Sequence, residues 1–273
     1  MVILVALGFA VGTYGTLIGA GGGFLLVPVL LFMYPRDNPG TITSISLVVV
    51  FFNALSGSFA YGRMKRIDYR SGALFALATI PGAILGALAV SLFSRGLFSV
   101  VFGVVLVGIS LFSFWRSREN AGPAAGVVSA FLQTRTLQDY HGQRYTYAFD
   151  LRIGLGLSFV VGFFSSLLGI GGGIIHVPAM AHLLYFPAHI ATATSQFVLA
   201  IMAFTGSSVH VLTGQITQGT GLIRALLLSA GALLGAQVGA RLSERVRGTW
   251  LLRLLALALV LVGLRLVISG LVG

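Results

Sequence analysis

"GTYGTLIGAGGGFLLVPVLLF" at Gly12–Phe32 and "GFFSSLLGIGGGIIHVPAMAH" at Gly162–His182 are two copies of one segment, 150 residues apart. Glycines at 12, 19, 21, 22 and 23 recur at 162, 169, 171, 172 and 173, and Val27-Pro28 recurs as Val177-Pro178. The match continues at an offset of 149, where Thr43, Ser46, Gly57 and Ser58 answer to Thr192, Ser195, Gly206 and Ser207. "PGAILGA" at 81–87 likewise answers to "AGALLGA" at 230–236. Self-similarity at a fixed period marks a duplicated unit. The chain reads as a first membrane repeat over 1–115, a polar linker over 116–149 and a second membrane repeat over 150–273.

The membrane assignment comes from composition. Of 273 residues, 57% are hydrophobic and 8% charged, outside the range of soluble domains. The apolar runs are long and do not alternate, which fits helices of roughly 20 residues rather than barrel strands. The 17 Lys and Arg against 6 Asp and Glu lie mostly between those runs. They are topology signals, so no nucleic-acid partner is expected. The absence of cysteine excludes disulfides, thiolate metal sites and cysteine catalysis. Val2 to Ile18 lacks a basic leader region and a cleavage site, and the repeat counts it within the fold.

Each half reads as a glycine-broken segment followed by three apolar helices, at about 2–34, 41–61, 70–94 and 97–115, then 150–185, 188–213, 220–242 and 249–271. In the linker, "TRTLQDYHGQRYTYAF" places β-formers around a turn at Asp139–Gly142, and reads either as a small β-hairpin outside the bilayer or as a disordered connection.

Charge distinguishes the orientation of the halves. "RMKRIDYR" at 63–70 is basic while its counterpart "TGQITQGT" at 213–220 is uncharged, and the next loop reverses the bias: Arg95 alone against Arg241, Arg245, Arg247 and Arg253. Positive loops stay cytoplasmic, so the halves are expected to be inverted, with an odd number of crossings each. A first segment that enters the membrane, breaks at its glycines and returns meets that count. The fold expected is an all-α polytopic membrane protein of two inverted-topology repeats, each a glycine-broken re-entrant helical hairpin plus three transmembrane helices. The basic loops and central linker are then cytoplasmic, with both termini outside the cell membrane. The alternative, eight full crossings, splits the basic loops between two faces.

Irregular backbone at membrane depth is tolerated only where protein buries it or a cavity meets it. After each break a short helix restarts, and its first N–H groups lack intrahelical partners, an arrangement that suits an anion. Gly19, Gly21, Gly22 and Gly23 with Gly169, Gly171, Gly172 and Gly173 are therefore the candidate substrate-binding backbone. Pro28 and Pro178 are placed near the first turn of the restarted helices, where a missing N–H matters least. The competing reading is that the glycines are close-packing contacts. Neither copy has the Gly-Lys-Ser/Thr of a phosphate loop, and Phe24 or Ile174 stands where a dinucleotide fingerprint needs glycine. Thr43 and Ser46 of "TITSIS", and Thr192, Ser195 and Gln196 of "ATATSQF", open the following helices as candidate ligand contacts, against a capping or packing role.

All six acidic residues fall in loops or at helix ends, which removes the usual cation ligands and carboxylate catalysis, so no metal, cofactor or enzymatic activity is expected. Arg224, Arg253 and Arg265 lie near enough to helix ends to snorkel. His176 stands where the first half has Leu26, and reads either as a substrate or proton contact or as a hydrogen-bonded structural histidine.

On "GAGGGFLLVP", "GIGGGIIHVP" and the following "ATSQF", the chain resembles the TauE/SafE family of sulfite exporters, also called the four-toluenesulfonate uptake permease family, over nearly its whole length. The resemblance implies transport of sulfite, sulfonates or related organic anions, coupled to an ion. The expected function is a secondary transporter of a small anion in the lipid bilayer, alternating access around a midplane site, with a coupling proton or sodium ion. The alternative is an uncoupled anion channel.

Overall fold

The computed structural model describes residues 1–116, 131–214, 220–246 and 248–272; part of the linker assigned above, 117–130, lies outside them. Its helices are α1 (Val2–Leu17), α2 (Gly23–Met33), α3 (Pro39–Arg63), α4 (Tyr69–Ala89), α5 (Arg95–Arg116), α6 (Leu151–Leu168), α7 (Gly173–His182), α8 (Ala188–Leu212), α9 (Thr220–Ser243) and α10 (Gly248–Val272). Between α5 and α6, β1 (Leu132–Gln138) pairs antiparallel with β2 (Arg144–Asp150), from Leu132 opposite Asp150 to Gln138 opposite Arg144. Five helices among the described residues are long and apolar enough to cross a membrane: α3, α4 with its 3-10 extension to Leu92, α6, α8 and α9. The protein is a mostly helical, multi-pass membrane protein with, among the described residues, one small β-hairpin.

The two halves interlock. α1 packs along α9, α4 along α6, α5 along α10, and α3 along α8. Glycines permit the closest of these contacts. Gly82 of α4 lies against Phe159 and Phe163 of α6 and Gly86 lies against Phe163 and Leu167, so these two helices run the same way. Gly231, Gly235 and Gly239 of α9 meet Val5, Phe9, Thr13 and Leu17 of α1 in the same parallel sense. Side chains of any size would hold these backbones apart, which is the small-residue packing of membrane helices. α3 and α8 run oppositely: Gly57 faces Gln196, and Gly206 faces Leu47. They form the centre, 61% and 56% buried over their apolar windows against 44% for the other three long spans. Outward, Phe32, Phe59, Leu77, Leu234 and Leu261 are exposed, as lipid-facing surface requires.

The repeated glycine segments behave differently from these packing glycines. α1 stops at Leu17, and α2 restarts only at Gly23. Gly19, Gly21 and Gly22 have φ of 76, 74 and 80°, and Gly169, Gly171 and Gly172 have 69, 82 and 71°. A residue with a Cβ pays roughly 1–2 kcal/mol at each such angle. Pro28 and Pro178 lie in the second turn of α2 and α7, not the first, because Gly22 and Gly172 cap the restarted helices.

Candidate substrate site at the paired helix breaks

The two breaks lie against each other, crossing in opposite directions. A Cβ on Gly23 would meet the Gly169 carbonyl oxygen at 2.6 Å, and one on Gly173 would run into Gly19. At the crossing, Gly171 lies 2.6 Å by the same measure from Val50, and Gly21 lies 2.5 Å from Leu199. Val50 and Leu199 sit near the middle of α3 and α8. The chain also doubles back beside itself, since Gly22 returns to Val11 and Gly15 abuts Gly22.

Hydrogen bonding divides the glycines into two groups. Gly19 N–H donates to Thr16 O (3.0 Å), Gly21 N–H to Gly15 O (3.2 Å), Gly169 N–H to Ser165 O, and Gly173 N–H to Gly171 O (2.9 Å). Those four shape the turns. Among the described residues, the N–H groups of Gly22, Gly23 and Phe24 and of Gly171, Gly172 and Ile174 find no carbonyl partner. Helix starts leave such donors free.

The candidate side chains join the breaks across the repeat. Ser46 donates to Gly169 O (2.6 Å), and Ser195 donates to Gly19 O (3.3 Å). Thr43 packs on Gly169 and Thr192 on Gly19; both hydroxyls are buried with no hydrogen-bond partner. None of the four caps a helix: Asn38 caps α3 by accepting from Thr41 N–H (2.7 Å), and α8 starts without a side-chain cap. Gln196 donates to Gly15 O (3.4 Å), leaving its own carbonyl oxygen unpartnered. An orphaned buried polar group costs about 1–3 kcal/mol, so three together mark a place where a polar partner is wanted.

The His176 ring has other partners. It is fully buried, with Nε2 3.1 Å from Ser158 Oγ and its edge against Phe75. Sequence reasoning missed Thr16, whose hydroxyl donates to Asn53 (3.1 Å), and the buried, unpartnered hydroxyls of Ser165 and Ser166. The one signal for them was a polar pair inside the apolar "GFFSSLLG".

Charge lies away from the breaks. Among the described residues, the buried charged ones are Arg66, Asp68 and Asp139, all in the β-hairpin or the loop beneath it. Asp68 accepts from Ser71 N–H and Oγ and from Tyr147 OH (2.8 Å), while its own N–H donates to Thr194 Oγ1 (3.0 Å) on α8. Burial, and then the Asp68 carboxylate, push the Tyr147 phenol up, so it stays a donor. Arg66 pairs with Asp139 (3.4 Å), which also accepts from His141 and Gln143 N–H at the hairpin tip. At the opposite end Arg224 does not merely reach outward: it pairs with Asp37 (2.8 Å) and lies over the Tyr34 ring. Arg95 holds the carbonyls of Leu31, Tyr34 and Asp37 at the end of α2. A cavity of about 640 Å³ between α2, α5 and α10 lies on that side, not at the breaks, and is lined by Leu25, Pro28, Phe32, Arg95, Leu261 and Arg265 among others.

The sulfite exporter TauE/SafE family matches residues 4–266, and the chain belongs to that family. It is 36% identical to the probable membrane transporter protein YunE of Bacillus subtilis, covering 98% of each chain. A probable membrane transporter protein of Methanocaldococcus jannaschii is 24% identical over 89% of this chain and 88% of its own. No solved structure matches. The family and these relatives make the protein a membrane transporter rather than an enzyme.

Proposed function

We propose that this TauE/SafE family member is a secondary transporter of a small anion, a sulfur oxyanion such as sulfite or a sulfonate, working in the cytoplasmic membrane. The observation that carries the reading is the crossed pair of breaks, where two helix N-termini and the unpartnered hydroxyls of Thr43 and Thr192 meet in a region without buried charge among the described residues. N–H groups of Gly22, Gly23 and Phe24, and of Gly171, Gly172 and Ile174, bind the anion from two sides. Thr43 and Thr192 donate to it, Ser46 and Ser195 hold the turns, and Gln196 orients the site. Hydrogen bonds to a charged group contribute about 1.5–3 kcal/mol each, enough for a few to replace part of the anion's hydration.

The halves, 1–115 and 150–273, are inverted repeats joined by the cytoplasmic linker 116–149. The opposed directions of α3 and α8 support this, as does the return of Gly22 beside Val11 that makes α1–α2 a re-entrant hairpin. α6 is long enough to span but turns back at Gly169 in the same manner. Both termini are then outside, and the loops after α3 and α9 are cytoplasmic with the hairpin. The breaks are closely packed, so the anion enters when α1–α2 and α6–α7 shift against α3 and α8, opening one side at a time.

Proteoliposomes loaded with sulfite, thiosulfate or methanesulfonate test the site. Gly22→Leu and Gly172→Leu are expected to abolish uptake while the purified proteins keep a monodisperse profile and wild-type helicity. Unchanged uptake in both rules out the breaks as the binding site.

A further inference from the structure

We propose that the coupling ion is a proton, and that it is carried by Nδ1 of His176. The inference rests on the transport reading above and adds the ion to it.

The argument starts from Ser158, one turn or more inside α6. Its hydroxyl has a single proton, donated to Gly154 O (2.7 Å). Towards His176, 3.1 Å away, Ser158 Oγ can therefore only accept. That fixes the imidazole as the Nε2–H tautomer and leaves a lone pair on Nδ1. Nδ1 is buried and has no hydrogen-bond partner. The chain thus holds a neutral ring with its proton-accepting atom kept bare, three residues beyond the glycine break.

The repeat separates this histidine from the other buried one. His210 Nε2 lies 3.5 Å from Ser166 O, and at the equivalent place Tyr61 OH donates to Thr16 O (2.8 Å). A tyrosine does the same work in the first half, so His210 holds α8 to the end of α6. His176 and Ser158 have no such twin: the first half has Leu26 and Gly8. Only the second half has an imidazole beside its break.

Among the described residues, no charged side chain pairs with the ring. From the helices packed on α7, the described titratable side chains are engaged elsewhere: Arg152 lies over Phe131, His210 faces Ser166, and Arg95 holds the end of α2. His189 is placed towards Arg66 and Asp139. On the hairpin side, Phe75 separates His176 from Phe149 and Phe186, and behind these stand Tyr147, Asp68 and Arg135. A proton on Nδ1 makes an imidazolium near the positive end of α7, which burial and the helix dipole both oppose. An anion on the N–H groups of Gly171, Gly172 and Ile174 reverses that opposition. Each ligand thereby raises the affinity for the other, which is the condition for symport.

The test uses whichever of thiosulfate, methanesulfonate and sulfite the wild-type protein carries fastest into proteoliposomes. An acidic exterior is expected to raise wild-type uptake by about tenfold, within the usual range of coupling between two ligands. His176→Gln should lose that acceleration while anion exchange at equal pH stays within about threefold of wild type. His210→Tyr should keep both. Ser158→Ala, which frees the tautomer with little change in volume, should shift the pH profile of gradient-driven uptake and leave exchange intact. Retained pH-driven uptake in His176→Gln, or equal loss in His210→Tyr, overturns the proton site. Exchange that survives such a result leaves the anion site standing, whereas a wild-type protein carrying none of the three anions sinks both readings.

Discussion

The two halves agree where backbone is at stake and differ where side chains do chemistry. Gly19, Gly21 and Gly22 and their counterparts Gly169, Gly171 and Gly172 all have positive φ, and Ser46 and Ser195 each reach across to the other half's break. In contrast, Asn53 donates to Gly21 O (3.2 Å) where the second half has Met202, and Gln196 donates to Gly15 O where the first half has Leu47. Likewise Leu26 and Gly8 occupy in the first half the positions that His176 and Ser158 occupy in the second. A turn that only glycine fits allows no drift after duplication. A side chain beside it does, so one half can hold a break in shape while the other adds a titratable group. The Arg66–Asp139 pair is one-sided as well, because the hairpin tip meets the chain where α3 finishes.

The comparison breaks first, and completely, if the halves are not inverted. Single cysteines replacing Lys65 and Glu244 should label from one face of sealed vesicles and one replacing Arg36 from the other. Labelling of Lys65→Cys and Glu244→Cys from opposite faces would contradict the topology. Next in size is the Arg66–Asp139 pair. Asp139→Ala strands the buried Arg66 and should destabilise by about 3–5 kcal/mol, seen as a lower thermal midpoint in detergent. The double variant Arg66→Met/Asp139→Leu should recover most of that loss. The paired threonines test the symmetry of the site: Thr43→Val and Thr192→Val should each weaken anion affinity by roughly tenfold, the worth of about one hydrogen bond. A tenfold loss in only one of them would make the site one-sided. The smallest effect belongs to His210→Tyr, expected within about twofold of wild-type exchange because Tyr61 already fills that role.

Much of the candidate site was legible because it is repeated. The doubled glycine motif and the hydroxyls following it mark the residues that meet at the breaks, and the membrane class follows from apolar run length. Other features were not. Close-packing glycines such as Gly86 and turn-forming glycines such as Gly22 look alike in sequence, since both lack Cβ; only a neighbouring backbone or a positive φ separates them. The prolines fall in the second turn because Gly22 and Gly172 are the caps, so each restarted helix already begins at the last glycine of its triplet. Ser158 could not be linked to His176, since no local spacing joins residues of two helices.

By itself the sequence determined that the chain lives in a membrane, that it is duplicated, and that each copy breaks at its glycines. Those are properties of composition and of single-residue backbone freedom, which are local. Tertiary structure alone decided that the two breaks cross each other, which N–H groups are already used in the turns, and that Ser158 lies beside His176. The crossing and the Ser158–His176 contact join groups 18 or more residues apart, and such contacts follow from the packing of whole helices.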